Sequence, residues 1–171
     1  GSFYIYRINE PFERAYLSET VRVYNTDEEV LKALSAMEAE TSKGVAFFSR
    51  ERKDNPETII SPEKNSNNRI TLLSYSPDEI KYFVNLESPA VMVVSNNFHP
   101  DWKAFVDGKQ TQVFRANHAF QSVILGSPGE YNVTLKFCPS MTRIYPLFIL
   151  IGLSILFLPL LLTRQNRQDA D

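Results

Sequence analysis

Residues 80–108 read IKYFVNLESPAVMVVSNNFHPDWKAFVDG. Ile80, Tyr82, Val84 and Leu86 alternate with Lys81, Phe83, Asn85 and Glu87. A period of two sends one set to each side of a sheet, so this segment reads as a half-buried strand. Pro89 to Ser95 is a second strand, built on the apolar run Ala90-Val91-Met92-Val93-Val94. A third, Trp102 to Val106, ends at Asp107-Gly108 and is answered by Thr111 to Phe114. Asp-Gly between two such runs is a strong hairpin signal, because the tightest hairpin turn needs positive φ at both central residues.

The pattern continues on both sides. Ile70 to Tyr75 precedes it; Ala119 to Leu125 and Tyr131 to Phe137 follow, divided by the turn Gly126-Ser127-Pro128-Gly129. Seven or so short strands at this spacing predict a mainly β fold, an antiparallel β-sandwich of jelly-roll type. Trp102 and Phe105 are expected in its core, with Phe98, Phe114, Phe120, Tyr131 and Phe137. One amphipathic helix is expected over Asp27 to Glu40. Thr26-Asp27-Glu28-Glu29 supplies a capping box, and Val30, Leu31, Leu34 and Met37 recur at helical spacing to pack on a sheet. Gly44 closes that segment, and Val45 to Phe48 reads as a short strand. Residues 50–69, polar and carrying two Pro and four Asn, read as a solvated loop.

Ile144 to Leu162 (IYPLFILIGLSILFLPLLL) holds no charge, and fourteen of its nineteen residues are Leu, Ile or Phe. At about 1.5 Å per residue it makes a helix of roughly 28 Å, near the thickness of a bilayer's hydrocarbon core. The expectation is a transmembrane helix over residues 144–163, an exterior domain over 3–140 and a cytoplasmic tail over 164–171. Tyr145 falls where an interfacial aromatic belongs, and Pro146 is tolerated in a first turn. Arg143 on one flank and Arg164 and Arg167 on the other leave orientation weakly encoded. The opening Gly1-Ser2 reads as a cloning scar or cut point, and the chain as the C-terminal part of a longer protein.

With 18 basic and 20 acidic residues, the balance gives no reason to expect nucleic acid as a partner. A lone Cys138 allows no internal disulfide. His99 and His118 stand nineteen residues apart, and neither metal-ligand spacing, a nucleophile elbow, a P-loop nor a dinucleotide fingerprint is matched. No metal or cofactor is therefore expected. Asp101 and Asp107 are better explained as turn residues than as a carboxylate pair for glycoside chemistry.

The runs His99-Pro100-Asp101-Trp102-Lys103-Ala104, Val106-Asp107-Gly108-Lys109, Arg115-Ala116-Asn117 and Pro128-Gly129-Glu130-Tyr131-Asn132-Val133 resemble the C-terminal region of the YfhO-type bacterial membrane proteins. Those have the C-type glycosyltransferase fold, and this chain carries Asp101 where their pattern has Gly. The resemblance implies an exterior β-rich domain followed by the last membrane helix, in a protein of the bacterial cell membrane. Its implied partners are the membrane, the rest of the parent protein, and envelope glycan or polyprenyl-linked sugar. It carries over no catalytic residue. The implied role is a non-catalytic accessory domain of a membrane protein that transfers sugar from a polyprenyl-phosphate carrier to cell-envelope polymers. A glycan-contacting reading groups His99, Trp102, Arg115 and Asn117, with the Trp face stacking on a sugar ring. A structural reading places Trp102 in the core and Arg115 and Asn117 on loop backbone groups. A tail-anchored protein-binding module and a carbohydrate-binding module remain open as alternatives.

Overall fold

The apolar run after Pro89 becomes β6 (Ala90–Asn97), the strand around which the domain is built. Ala90, Val91, Met92, Val93 and Val94 are all buried, with alternate residues entering different cores. A strand covered on both faces needs no polar alternation, which explains its uninterrupted composition. The computed structural model describes residues 13–18, 20–37, 44–52, 56, 67–140, 145 and 148–155. Within them, residues up to Phe137 belong to one compact unit and those from Cys138 to another.

The remaining strands are β1 (Ala15–Ser18), β2 (Thr20–Tyr24), β3 (Val45–Ser49), β4 (Arg69–Tyr75), β5 (Glu79–Leu86), β7 (Trp102–Val106), β8 (Lys109–Thr111), β9 (Phe114–Ala116), β10 (Phe120–Leu125) and β11 (Gly129–Phe137). They form an antiparallel sheet β1-β6-β10-β9, an antiparallel sheet β4-β5-β11-β7-β8 and a parallel ribbon β2-β3. The mainly β, antiparallel expectation holds. The parallel ribbon is a departure: β2, α1 and β3 make a βαβ unit, since parallel neighbours need a crossover connection.

One core draws residues from both antiparallel sheets. Met92, Val94, Val123 and Leu125 from the first meet Ile80, Tyr82, Val84, Trp102, Ala104, Val133 and Leu135 from the second. The other face of the first sheet carries Val91, Val93 and Ala116, which pack on Ala46 and Phe48 of β3. The ribbon's far side offers Val45 and Phe47 to α1 (Asp27–Ser35), which answers with Val30, Ala33 and Leu34. β3 is thus buried throughout, with successive residues in different cores.

The capping box forms as read. Thr26 Oγ1 accepts from Glu29 N–H at 3.2 Å, and Glu29 Oε2 accepts from Thr26 N–H at 3.4 Å and Asn25 N–H at 2.9 Å. The helix itself ends at Ser35, not Glu40; residues 38–40 lie outside the described ones. Leu31, expected to face the sheet, is 45 % exposed, and Ala33 takes its place in the packed stripe. Val30, Ala33, Leu34 and Met37 keep the i, i+3, i+4, i+7 spacing, and Leu31 falls about 100° away from Val30.

The Asp107-Gly108 hairpin is present, with φ of 48° and 80°. Its return strand differs from the reading. β8 starts at Lys109, and the segment read as one strand over Thr111 to Phe114 is divided, β8 staying in one sheet and β9 joining the other. Phe105, expected in the core, faces outward, because Trp102, Ala104 and Val106 hold the inward positions of β7. Most of the polar loop over 50–69 lies outside the described residues.

In the second unit, residues 148–155 are helical and exposed. The rest of the expected span (144, 146, 147 and 156–163) and the tail over 164–171 lie outside the described residues, as does Gly1-Ser2. Among the described residues no helix is long and apolar enough to cross a membrane.

Candidate functional site

The four residues grouped by the glycan-contacting reading sit on separate structures. Trp102 opens β7, is 8 % exposed and belongs to the main core. Its ring lies 5.5 Å from that of Phe137, and the His99 ring meets the same Phe137 edge-on at 5.6 Å. His99 is exposed at the side chain, and its Nδ1 accepts the Asp101 N–H at 3.2 Å. His99 and Trp102 are thus brought together through Phe137. Asp101 lies in the same turn, where Trp102 N–H donates to His99 O at 3.0 Å.

Arg115 stands in β9 between Phe114 and Ala116, which face the ribbon core, so its own side chain takes the opposite side. There its guanidinium lies 4.6 Å over the Phe98 ring. Gln121, the cross-strand partner of Arg115, is fully buried and donates from Nε2 to Asn97 O at 3.0 Å. This ties the Phe98 segment to the β9–β10 hairpin, as does the bond from Phe98 N–H to Ala119 O at 2.7 Å.

Asn117 occupies the tip of that hairpin, next to His118, with φ of 50° and 67°. Asn tolerates this left-handed conformation better than most side chains. Asn117 acts as a short strand partner for Phe47: its N–H donates to Phe47 O and its Oδ1 accepts the Phe47 N–H, both at 2.9 Å. Its Nδ2 donates to the Tyr16 hydroxyl at 2.6 Å, which donates onward to Val45 O at 2.8 Å. One amide therefore joins β1, β3 and the β9–β10 turn. The amide's two ends are both engaged on protein groups, a β3 backbone N–H and a tyrosine hydroxyl, where the structural reading expected loop backbone groups.

Beside it lies a cluster that sequence inspection did not pick out. Asp27, the first residue of α1, is gripped by Arg52, whose Nε donates to Oδ1 at 2.7 Å and whose Nη2 pairs with Oδ2. His118 Nδ1 lies 3.0 Å from the same Oδ2 without an aligned hydrogen bond. These residues are 25 or more positions apart, and only docking of the ribbon on the sheet unites them. The sole sequence signal was an acidic residue in a first helical turn, which reads as ordinary capping.

The solvent face of the five-stranded sheet carries Phe83 and Phe105 among polar neighbours. Glu79 is clasped there by Lys81 at 2.7 Å and Lys136 at 2.9 Å, and these hydrogen bonds hold its carboxyl below the usual range. A shallow cleft of about 280 Å³ lies alongside, lined by Lys81, Phe105, Gly108, Thr134 and Lys136. A second cleft of about 280 Å³ lies where the β7–β8 hairpin meets the β10–β11 turn. Among the described residues, no group of three or more His, Cys, Asp or Glu is placed to hold a metal ion.

The half-buried Tyr16 and the buried Tyr82 give the domain an alkaline limit. Burial pushes the Tyr16 hydroxyl up to about 12, against the opposing hydrogen bond from Asn117. Burial does the same for Tyr82, to about 12, with the Arg14 charge opposing and Tyr75 adding. An exposed tyrosine ionises near ~10. The folded values lie above the unfolded one, so their contribution is complete below ~pH 10 and is lost as pH rises towards ~12. We expect unfolding stability to fall by about 2–3 kcal/mol per tyrosine across that window. Denaturant melts at stepped alkaline pH check this; a flat stability there contradicts the burial argument. No protein-family model, curated protein or solved structure matches this chain.

Proposed function

We propose that the chain is a non-catalytic exterior accessory domain, a β-sandwich held to the bacterial cell membrane by residues 144–163. In this reading it serves a polytopic glycosyltransferase-like protein that moves sugar from a polyprenyl-phosphate carrier to cell-envelope polymers. The observation that carries the reading is the helical stretch after the domain. Phe148, Ile149, Leu150, Ile151, Leu153 and Ile155 are 45–69 % exposed, on every side of that helix. Covering each such side chain is worth about 1.5–3 kcal/mol, and a helix apolar all round is stable only in a non-aqueous setting. Ser154, the polar residue of the stretch, donates its hydroxyl to Leu150 O at 2.8 Å, which satisfies it within its own helix. The sandwich is supported by the core shared between the two antiparallel sheets. The sugar-transfer context rests on the resemblance in residues 99–133. A tether beside the parent's membrane core would raise the domain's local concentration there, so weak contacts with an acceptor would suffice.

The chain produced in bacteria is expected to sediment with membranes, to resist alkaline carbonate and to need detergent for release. Cys138 is exposed and supplies a single labelling point. A membrane-impermeant maleimide added outside intact spheroplasts is expected to label it. Recovery as a soluble monomer without detergent overturns the tether, and labelling only after lysis overturns the exterior placement.

A further inference from the structure

We propose that the cleft between β8 and the free edge of β10 is a binding site for one polyhydroxylated ring, a sugar unit. Three observations converge on it. First, β9 pairs with β10 only from Phe120 to Ser122, so among the described residues no strand flanks Val123 to Leu125 on that side. Ile124 and Leu125 line the cleft and both pair with β6, so of the two only the residue whose N–H and C=O point away from β6 has its main-chain groups on the cleft side.

Second, β8 breaks the inward pattern of its sheet. Lys109 stands opposite Val106 and Thr111 opposite Ala104, and both partners face the core. Period-two patterning calls for apolar residues at 109 and 111, and the chain places an ammonium and a hydroxyl there. An inward charge on an edge strand also discourages edge-to-edge pairing. That role needs no cavity, whereas here both residues line an open cleft of about 280 Å³.

Third, one wall is preformed. The Tyr131 hydroxyl donates to Ser127 O at 3.0 Å, folding the β10–β11 turn against its ring. Gly129 permits this at φ 146°; a Cβ there would lie 3.4 Å from the Tyr131 hydroxyl.

The lining matches a sugar's two-sided chemistry. Tyr131 offers an apolar face to C–H groups, while Lys109, Thr111 and Ser127 bring hydrogen-bonding groups to the rim. Drug-sized ligands occupy roughly 300–1,000 Å³, so a single ring is the scale that fits. Among the described residues Lys109 is the single cation lining the cleft, which disfavours a phosphate as the principal recognised group.

This inference deepens the accessory-domain reading by giving it a sugar contact, and its test is separate from the membrane test. Amide spectra of the full chain, held in a detergent without a sugar headgroup, are recorded during titration with glucose, galactose and N-acetylglucosamine. Sodium phosphate and acetate form the comparison arms. At least one sugar is expected to shift the amides of residues 109–111 and 124–127 saturably at millimolar concentration. Thr111→Val combined with Lys109→Ala is expected to weaken that binding at least fivefold with the melting midpoint unchanged. Gly129→Val, which crowds Tyr131, serves as a second variant and is expected to weaken it while the core amides stay in place. Shifts centred on His99 and Trp102, shifts with the anions alone, no shift with any sugar, or equal binding by the variants each overturn the site. Membrane retention is scored independently, so an empty cleft in a membrane-held chain overturns this site and leaves the tether standing.

Discussion

Trp102→Ala is expected to destabilise the domain by about 3–5 kcal/mol, the range for removing a large aromatic from a packed core. Trp102 is 8 % exposed, sits among Leu135, Ala104 and their neighbours, and supports Phe137 and through it His99. Small domains are stable by only about 5–15 kcal/mol, so the variant is expected to be partly unfolded at growth temperature. Urea melts of wild type, Trp102→Ala and Trp102→Phe measure this, with Phe retaining most of the stability. A cooperative melt of Trp102→Ala within about 1 kcal/mol of wild type sinks the core assignment. It would also restore this residue as a candidate for direct ligand contact. The same measurement therefore separates the two readings that the sequence leaves open for Trp102.

Asn117→Gly is expected to cost about 2–4 kcal/mol. Glycine adopts the same positive φ freely, so backbone strain does not enter; the side-chain bonds are lost, and glycine's greater freedom in the unfolded chain adds to the cost. The Phe47 N–H, on a residue 1 % exposed, loses its acceptor, and the Tyr16 hydroxyl loses the Asn117 amide. An orphaned buried donor costs about 1–3 kcal/mol beyond the bond itself. Asn117→Ala is expected to lose about a further 1–2 kcal/mol, because a Cβ in the left-handed region is crowded. Spectroscopic titration gives a second readout: without the Asn117 hydrogen bond, the Tyr16 hydroxyl moves further above its ordinary value. Melts indistinguishable from wild type, with an unmoved Tyr16, show that the turn is not the joint it looks to be.

The two predictions fall on either side of what a linear reading reaches. Trp102 was legible as core because it heads an alternating strand and precedes a tight turn, both local signals. Phe105 was misassigned for a reason visible in the same strand. Aromatic character alone does not fix a face; parity with Trp102 does, and it sends Phe105 to solvent. Asn117 gives no local sign of its importance. Its partners, Tyr16 and Phe47, are 101 and 70 residues away, and nothing in a short window connects them. The same holds for Asp27 with Arg52 and His118, and for Thr111 with Leu125.

By itself the sequence determined the elements whose causes are local. These are the capped helix start at Thr26, the Asp107-Gly108 turn, the alternation of β5, the buried run of β6 and the nineteen-residue apolar stretch. Each follows from backbone geometry and from which faces a side-chain period exposes. Only tertiary structure decided that β2 and β3 run parallel outside the main sheets, and that β9 pairs with β10 no further than Ser122. It alone placed an asparagine amide as the joint of three elements. The physical reason is that strand pairing and docking are set by contacts between residues far apart in the chain. Their free energies depend on the assembled surface and leave no period in the sequence.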